Sequence, residues 1–454
     1  MNRRFDRVKG TIRRIESLGE CALLTLIYYL LWLYTYSDDG YMPDYLGRGK
    51  YVLMLVYALL VYVGFSSFGA FQFGHQKTTD VIVEQWASLI IINAISYLQL
   101  ALIANRPITF LPILLLTAID FVVSFLLCHT FNTIYHTRYI PHQMLLIYGT
   151  QEALSLKFKM NSREDKYNIT RQIPETEGFE AIKEEINRHD AVIISDVHGQ
   201  LRNDILKYCY DKDVRTYIAP KVSDIILRGA PDVSLFDTPL LLVRGFGLTP
   251  GEELVKRGFD ILLVMLSMVL AGPLMLFCAI AIKLGDRGPV FFRQERVTKD
   301  GRLFQILKFR SMVTDAEKDG IPIAATDNDP RITKVGKFLR RTRLDELPQL
   351  FNILKGDMSI CGPRPERKEF NDSYTEKIPE FSYRLKVRGG LTGYAQIFGK
   401  YNTSAYDKLR LDLIYIENYS LLLDIRLIIM TIRAVLSRES TEGFAKEEDT
   451  ESNK

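Results

Sequence analysis

Four long apolar stretches near the start of the chain constrain its fold more than any other feature. They cover about residues 21–36, 51–73, 86–104 and 108–128, and they contain almost no charged side chains. A helix needs about 20 apolar residues to cross a bilayer, and each stretch approaches or reaches that length. A single stretch of this kind is also typical of a buried core helix. Four in succession, joined by short loops, predict a four-helix transmembrane bundle within residues 1–135.

Basic residues before the first apolar stretch set its expected orientation. Short segments rich in Lys and Arg stay on the cytoplasmic side of a membrane, so we expect the N-terminus there. Four crossings then return the chain to the cytoplasm at about residue 130. The cations are Arg3, Arg4, Arg7, Lys9, Arg13 and Arg14.

The pattern changes to alternating strands and helices after the fourth stretch. It predicts a parallel-sheet α/β domain of Rossmann type over residues 140–245. The expected strands are Met144–Tyr148, Ala191–Ser195 and Val214–Ala219, and the expected helices lie near 178–189 and 199–211. A dinucleotide fingerprint needs several glycines after the first strand, and only Gly149 is present. We therefore interpret the domain as degenerate: a spacer, dimerisation or regulatory module.

A fifth apolar block, Ile261–Ile282, is long enough to cross a membrane but has basic residues at both ends. A single crossing is expected to show a charge bias between its ends. The pair Gly272-Pro273 lies in the middle of the block, where proline removes a backbone hydrogen bond and kinks a helix. Both features favour a re-entrant helix-break-helix over 260–283. The alternative is an ordinary kinked span with a soluble domain on each side. The flanking cations are Lys256, Arg257, Lys283, Arg287 and Arg293.

Two adjacent carboxylates, Asp345 and Glu346, follow a dense basic stretch, Arg331–Arg343. Nearby cations favour the ionised form of a carboxylate and can also bind a phosphate. We therefore expect both carboxylates to be charged at neutral pH, which suits a nucleophile or metal ligand better than a general acid. The alternative is a solvated basic helix that ends in Asp-Glu. The net charge of the whole chain, +4, is too small to imply a nucleic-acid partner.

Several further motifs occur around these carboxylates in a fixed order. They are Val290–Val297, Lys308–Met312, Lys355–Ser359, Gly362–Glu366 and Gly389–Gln396. With the Asp-Glu pair, they resemble the bacterial sugar transferase family, over about residues 250–436. These enzymes are monotopic polyprenyl-phosphate glycosyl-1-phosphate transferases. The resemblance implies a mainly α catalytic domain over 250–437 with a re-entrant hairpin, and larger members also carry four spans and a Rossmann-like domain.

The resemblance implies transfer of a hexose 1-phosphate from a UDP-sugar to undecaprenyl phosphate, with release of UMP. This is the first membrane step of exopolysaccharide, capsule or O-antigen synthesis, in the bacterial inner membrane with the catalytic domain cytoplasmic. Asp345 is the implied nucleophile, which forms an aspartyl-phosphosugar. Glu346, with Asp345, is the expected ligand of Mg²⁺. No histidine follows His198, which excludes Ser-His and Cys-His chemistry in this region.

A homodimer is expected. The motifs also supply the expected contacts with substrate. The cations proposed for phosphate or substrate are Lys308, Arg310, Arg340, Arg341 and Arg364. Pro363 and Pro365 would stiffen the chain around Arg364. Further residues match a C-terminal family pattern, namely Asp412, Tyr415, Tyr419, Ser420 and Asp424. The helix Leu421–Leu436 is amphipathic, and the polar tail over 438–454 is expected to be disordered.

Two single residues are candidates of lower standing. Asp120 lies inside the fourth apolar stretch, where a carboxylate is a functional candidate; we favour a side chain that faces the bundle and bonds a neighbouring helix. Cys361 precedes the Pro-Arg-Pro motif, but no base accompanies it, so a small buried residue is favoured.

Two other functions are considered for the protein as a whole. One is a membrane-anchored nucleotide-sugar dehydratase, whose glycine fingerprint is missing here, and the other is a non-enzymatic scaffold for polysaccharide assembly.

Overall fold

A computed structural model describes residues 3–36, 48–74, 78–138, 141–161, 166–235, 237–313, 329–399 and 403–436. The expected disordered tail, 438–454, lies outside the described residues. The chain divides into two compact units, Met1–Ala219 and Pro220–Lys454. Among the described residues, five helices are long and apolar enough to cross a membrane, so the expectation of a membrane protein holds.

The first unit begins with four apolar helices that pack on one another. Tyr28 of the first stacks on Tyr57 of the second, with ring centroids 4.0 Å apart. Asp120 accepts hydrogen bonds from Tyr57 Oη at 3.3 Å and from Asn93 Nδ2 at 3.0 Å, and it is fully buried. Asp120 therefore faces the neighbouring helices, which is the alternative favoured from the sequence. The helices are α1 (Arg3–Leu31), α2 (Gly49–Phe68), α3 (Thr78–Ala104) and α4 (Leu111–Arg138).

A four-stranded parallel sheet follows, in the order β2-β1-β3-β4. Its strands are β1 (His142–Tyr148), β2 (Tyr167–Pro174), β3 (Ala191–Ser195) and β4 (Arg215–Ile218). Its helices are α5 (Ser155–Asn161), α6 (Gly178–Arg188) and α7 (Gly199–Asp211). The sequence pattern predicted all of these strands except β2. That strand lies at an edge of the sheet and buries only Ile169 and Ile173, so its apolar signal is weak.

Gly149, at the end of β1, has a packing role in this sheet. A Cβ at this position would lie 2.2 Å from the carbonyl oxygen of Asp196, which follows β3. No real Cβ tolerates that distance, so glycine lets the two loops at the carboxyl edge of the sheet touch. The glycine is therefore required by the contact between the loops, whatever the domain binds.

The second unit begins with a short helix, α8 (Val222–Gly229), which belongs to the C-terminal core rather than to the sheet that it follows. Val222 and Ile225 are buried with Leu409 and Leu413 in the same hydrophobic cluster. A Cβ at Gly229 would lie 2.7 Å from the Cβ of Glu417, so the two helices approach closely there. A hairpin then leads to the long helix; its strands are β5 (Asp232–Leu235) and β6 (Thr238–Leu241).

The fifth apolar helix, α9 (Pro250–Asp286), is continuous over 37 residues and runs through Pro273 without interruption. Thr249 and Glu252 close its first turn with a capping box. One face carries buried residues from Lys256 to Ile282, whereas the opposite face exposes apolar side chains such as Leu266 and Leu270. The buried stripe comprises Lys256, Asp260, Val264, Ala271, Met275, Cys278 and Ile282.

The basic residues at the start of α9 bond to the protein. Lys256 is 3% exposed and pairs with Asp424 at 2.5 Å. Arg257 donates to the carbonyl oxygens of Ile353 and Leu354, at the end of a later helix. Both flanking cations therefore also tie the start of α9 to the rest of the C-terminal unit.

The rest of the second unit is built from short elements. Two strands, β7 (Phe291–Val297) and β8 (Leu303–Phe309), form an antiparallel hairpin, and β9 (Ser359–Cys361) pairs with β10 (Gly390–Thr392) in parallel. The helices are α10 (Lys334–Arg341), α11 (Gln349–Lys355), α12 (Lys368–Lys377), α13 (Tyr394–Phe398), α14 (Ala405–Glu417) and α15 (Leu421–Leu436). Short 3₁₀ segments, Lys299–Gly301, Leu344–Glu346 and Pro379–Lys386, complete the elements described in this unit.

Candidate active site

The two adjacent carboxylates lie in the 3₁₀ turn between α10 and α11. Thr333 caps α10 by accepting a hydrogen bond from the Gly336 amide at 2.9 Å. A Cβ at Gly336 would lie 1.9 Å from the carbonyl oxygen of Ser311, so glycine brings α10 directly against the end of β8. Arg343 then takes a left-handed conformation, with φ 58°, and turns the chain into the Asp-Glu pair. The turn therefore presents both carboxylates beside the end of the β7–β8 hairpin.

Glu346 is held between two cations that come from distant parts of the sequence. Its Oε1 atom is 2.7 Å from Arg364 Nη2 and 3.1 Å from Lys308 Nζ. Burial by itself raises the pKa of Glu346, but Arg364 and Lys308 outweigh burial and hold the pKa well below its usual range. Glu346 is therefore ionised at every physiological pH, as the sequence predicts.

Asp345 differs from its neighbour. Its side chain is buried, and the pKa of Asp345 is raised by that burial and by the charge of Glu346. Lys308, Arg340 and Arg343 act in the opposite direction without cancelling the rise. The cations therefore do not bring the pKa of Asp345 below its usual range, because the sequence shows the cations but not the loss of water.

The other predicted cations fall into different surroundings. Arg340 donates from Nε to Ser311 Oγ at 2.8 Å and lies close enough to influence Asp345. Arg310 is 6% exposed, and its guanidinium occupies the space that a side chain at Gly288 would fill. Arg341 is exposed on α10, and among the described residues it makes no contact with either carboxylate.

The Pro-Arg-Pro segment is held by its backbone. It has few N–H groups because prolines lack them, and every carbonyl oxygen from Pro363 to Glu366 accepts a hydrogen bond. The donors are Gly390 N (2.8 Å), Arg384 Nη2 (2.8 Å), Arg296 Nη1 (3.1 Å) and Val297 N (3.0 Å), in that order along the segment. Neither Arg296 nor Arg384 was predicted from the sequence as a site residue. Arg296 lies inside a quoted motif, whereas Arg384 lies in none.

Three of the C-terminal pattern residues, Asp412, Tyr415 and Asp424, are buried in the core, whereas Ser420 is exposed. Asp424 accepts a hydrogen bond from Tyr415 Oη at 2.8 Å and also pairs with Lys256. Ser420 Oγ accepts from the Leu423 amide at 3.1 Å, at the start of α15. Cys361 is buried, and burial raises the pKa of its thiol well above the usual range. A thiol with such a pKa is a poor nucleophile, in agreement with the sequence interpretation.

The carboxylate pair is compatible with magnesium in number and kind of donor. Within the described residues, no three His, Cys, Asp or Glu side chains converge to form a complete metal cage. Mg²⁺ does not require one, because it is commonly held by one or two carboxylates together with substrate phosphates. Asp345 and Glu346 would supply those carboxylates.

The fold and the site together define a membrane protein whose C-terminal unit brings two carboxylates and several cations to one place. The model of the bacterial sugar transferase family matches residues 251–438. A Klebsiella pneumoniae UDP-glucose:undecaprenyl-phosphate glucose-1-phosphate transferase is 40% identical over 252 residues, 54% of this chain and 52% of its own. A UDP-N-acetylgalactosamine-undecaprenyl-phosphate N-acetylgalactosaminephosphotransferase of Aeromonas hydrophila is 47% identical over 192 residues, 42% of this chain and 45% of its own.

A third relative is much shorter. The exopolysaccharide production protein PSS of Rhizobium leguminosarum bv. phaseoli is 39% identical over 196 residues, 41% of this chain but 98% of its own length. The chain belongs to the bacterial sugar transferase family. It spans about half the length of the Klebsiella and Aeromonas relatives.

Proposed function

We propose that this protein transfers a hexose 1-phosphate from a UDP-sugar to undecaprenyl phosphate and releases UMP. The observation that carries the proposal is the carboxylate pair, with Glu346 bound to Lys308 and Arg364 and with the buried Asp345 beside it. This cluster lies inside the region that matches the sugar transferase family. The relatives named for this reaction use glucose or N-acetylgalactosamine; the donor proposed here is a UDP-hexose, with UDP-N-acetylgalactosamine as the alternative donor.

The reaction proceeds in two displacements at one phosphorus atom. A carboxylate oxygen of Asp345 attacks the phosphorus that bears the sugar, and the bond to the UMP oxygen breaks with its electron pair. A phosphate oxygen of the lipid then attacks the same phosphorus, and the Asp345 carboxylate leaves. Lys308 and Arg364 stabilise the negative charge that develops on the phosphoryl oxygens. Mg²⁺, held by Asp345 and Glu346, would supply further positive charge.

Burial makes the Asp345 carboxylate a stronger nucleophile. A desolvated carboxylate has a raised pKa, so its ionised form is less stable and more basic than that of a solvent-exposed aspartate. The permanent charge of Glu346 suits a ligand for a cation and excludes it as a general acid near neutral pH. The two carboxylates therefore have separate roles, set by their different surroundings.

The acid limb of the pH–rate profile reports the ionisation of Asp345. Arg343 lowers the pKa of Asp345, so Arg343→Gln raises that pKa further. Because the ionised form attacks, the acid limb of kcat/KM moves to higher pH in Arg343→Gln than in the wild type. UMP release measured across pH tests this, with Lys337→Gln, a charge removal on an exposed position of α10, as the matched control. An unshifted limb in Arg343→Gln would argue against Asp345 as the ionising nucleophile.

The catalytic unit and both ends of α9 lie on the cytoplasmic face of the bacterial inner membrane in this proposal. The buried stripe on α9 extends from Lys256 to Ile282, which is about 39 Å at 1.5 Å per residue. The hydrocarbon core of a bilayer is only about 30 Å thick. If α9 crossed it, the charged unit packed against the stripe would have to lie inside the lipid. The exposed apolar face of α9 therefore lies against the membrane, and both ends of the helix stay on the cytoplasmic side.

Reporter cysteines test this topology directly. Gly251→Cys, in the first turn of α9, and Arg293→Cys, in β7 after the helix, are at exposed positions and are expected to react with a charged, impermeant maleimide only from the cytoplasm. Leu270→Cys, in the middle of the exposed apolar face, is expected to react from neither side. The native cysteines are buried, which keeps the background low. Labelling of Arg293→Cys from the periplasm would show that α9 crosses.

Purified protein in detergent or nanodiscs, supplied with undecaprenyl phosphate and a panel of UDP-glucose, UDP-galactose and UDP-N-acetylgalactosamine, tests the function. Release of UMP together with a lipid-linked sugar is the expected result. Conversion of the nucleotide sugar without UMP release would favour the dehydratase alternative, and no turnover of any donor would favour a scaffold. The four N-terminal spans and the α/β domain then serve assembly or regulation, with a homodimer as the proposed state.

A further inference from the structure

Arg384 and Asp412 form a buried ion pair next to the Pro-Arg-Pro segment. Arg384 donates from Nε to Asp412 Oδ2 at 2.9 Å, and its Nη2 atom is 2.7 Å from the same oxygen. Both side chains are almost fully buried, with exposed fractions of 3% and 1%. Arg384 also stacks on the ring of Phe381, with its guanidinium carbon 4.8 Å from the ring centroid. The guanidinium is therefore fixed from two sides.

The remaining hydrogen of Arg384 Nη2 reaches the segment itself. It is donated to the carbonyl oxygen of Arg364 at 2.8 Å, while the side chain of Arg364 contacts Glu346 at 2.7 Å. One continuous set of contacts therefore links Asp412 on α14, through Arg384 and the backbone of Arg364, to the carboxylate beside Asp345. No other described side chain is bonded to the Arg364 carbonyl.

We propose that Arg384, held by Asp412, is a positioning residue that fixes the backbone of Arg364 and so places its guanidinium on Glu346 and the transferred phosphoryl group. The inference rests on the proposed function for its kinetic consequences. The structural part of the inference, that Arg384 fixes the backbone of Arg364, does not depend on which substrate is used. Lysine cannot replace Arg384, because one ammonium group cannot bond Asp412 with a fork and reach the Arg364 carbonyl as well.

Arg384→Lys keeps the buried positive charge opposite Asp412, so the unit is expected to fold. We expect kcat for UMP release to fall about 10- to 100-fold, since a small misplacement of a charge-stabilising group has effects of that size. KM for the donor changes much less. Arg302→Lys is the matched control, because Arg302 also pairs with an aspartate, Asp357 at 3.1 Å, elsewhere in this unit. It is expected to leave kcat unchanged.

A double-mutant cycle separates positioning from mere support of the fold. If Arg384 acts through Arg364, then adding Arg384→Lys to an Arg364→Lys variant lowers kcat by no more than about threefold further. The proposal is overturned if the double variant loses kcat by the product of the two single-variant losses. It is also overturned if kcat of Arg384→Lys lies within threefold of the wild type. If Arg384→Lys fails to fold, Asp412→Asn replaces it in the cycle, because an asparagine keeps an acceptor oxygen for Arg384. The same loss of kcat, of smaller size, is then expected, again with no further multiplication in the Arg364→Lys background.

Hydrogen exchange measures the structural part of the inference without any substrate. The amides of Gly390 and Val297 donate to the segment on either side of Arg364, at 2.8 and 3.0 Å. Both are expected to exchange faster in Arg384→Lys, while the amides of β8 and those of Arg302→Lys exchange as in the wild type. Unchanged exchange at Gly390 and Val297 would overturn the inference. A different result separates the two proposals. If Gly390 and Val297 exchange faster in Arg384→Lys but the wild-type enzyme transfers none of the UDP-hexoses, then Arg384 does fix the segment and the proposed function is wrong.

Discussion

Asp345→Asn is expected to abolish transfer of the sugar phosphate while the protein remains folded. An amide cannot form the acyl phosphate, so UMP release should fall at least about 10³-fold. The fold should not suffer, because burial disfavours the charge of Asp345 and the amide removes that charge. We expect the melting temperature to be unchanged or slightly higher.

The matched control is Asp372→Asn, the same change at an exposed carboxylate of α12 that makes only a long contact with Lys368. It should retain full activity. Wild-type protein incubated with the donor alone should gain the mass of a hexose phosphate on the peptide that contains Asp345, and Asp345→Asn should not. Substantial turnover by folded Asp345→Asn would sink the covalent mechanism.

Glu346→Gln is expected to impair both activity and stability. The wild-type carboxylate binds two cations through one oxygen, and a neutral amide removes the charge that bridges Lys308 and Arg364. Breaking a buried pair costs about 3–5 kcal/mol, and we expect about 2–3 kcal/mol here because Arg364 is partly exposed. Loss of charge stabilisation in the transition state should lower kcat about 10²- to 10³-fold.

The pH dependence of that stability difference has a definite sign. The pKa of Glu346 is lower in the folded protein than its ordinary value of 4.5, so the folded state is favoured by the ionised form. The free-energy difference between wild type and Glu346→Gln is therefore full above about pH 4.5 and shrinks as the pH falls below it. Denaturation followed at several pH values measures this, with Glu376→Gln, on an exposed position of α12, as control. A difference that is independent of pH down to pH 3 would contradict the role assigned to the charge.

Local patterns in the sequence were enough to predict those elements that depend on residues adjacent in the chain. The apolar stretches predicted α1 to α4, and the runs around Leu146 and Ile193 predicted the central strands, because those strands are buried on both faces. Strand β2 was missed because an edge strand needs few apolar residues. The Asp-Glu pair was found because both residues and their basic neighbours are adjacent in the chain.

Features that depend on contacts between distant segments could not be predicted in the same way. Arg384 and Asp412 are separated by 28 positions, and nothing near either residue shows that they pair. The raised pKa of Asp345 follows from burial, which a count of neighbouring charges does not reveal. Pro273 was expected to break α9, yet the helix continues through it, and buried residues on both sides of the proline, Ala271 and Met275, pack the helix there.

The helix α8 has a consequence for how this architecture can be divided and exchanged. Val222 and Ile225 fill the core of the second unit, so the natural joint of the chain lies between Ala219 and Pro220. A truncated chain that starts at Thr249, where the long helix is capped, would lose both side chains and leave part of the core open to water. Chimaeras that exchange N-terminal halves among relatives should therefore be joined before α8, so that each catalytic unit keeps the helix that seals it.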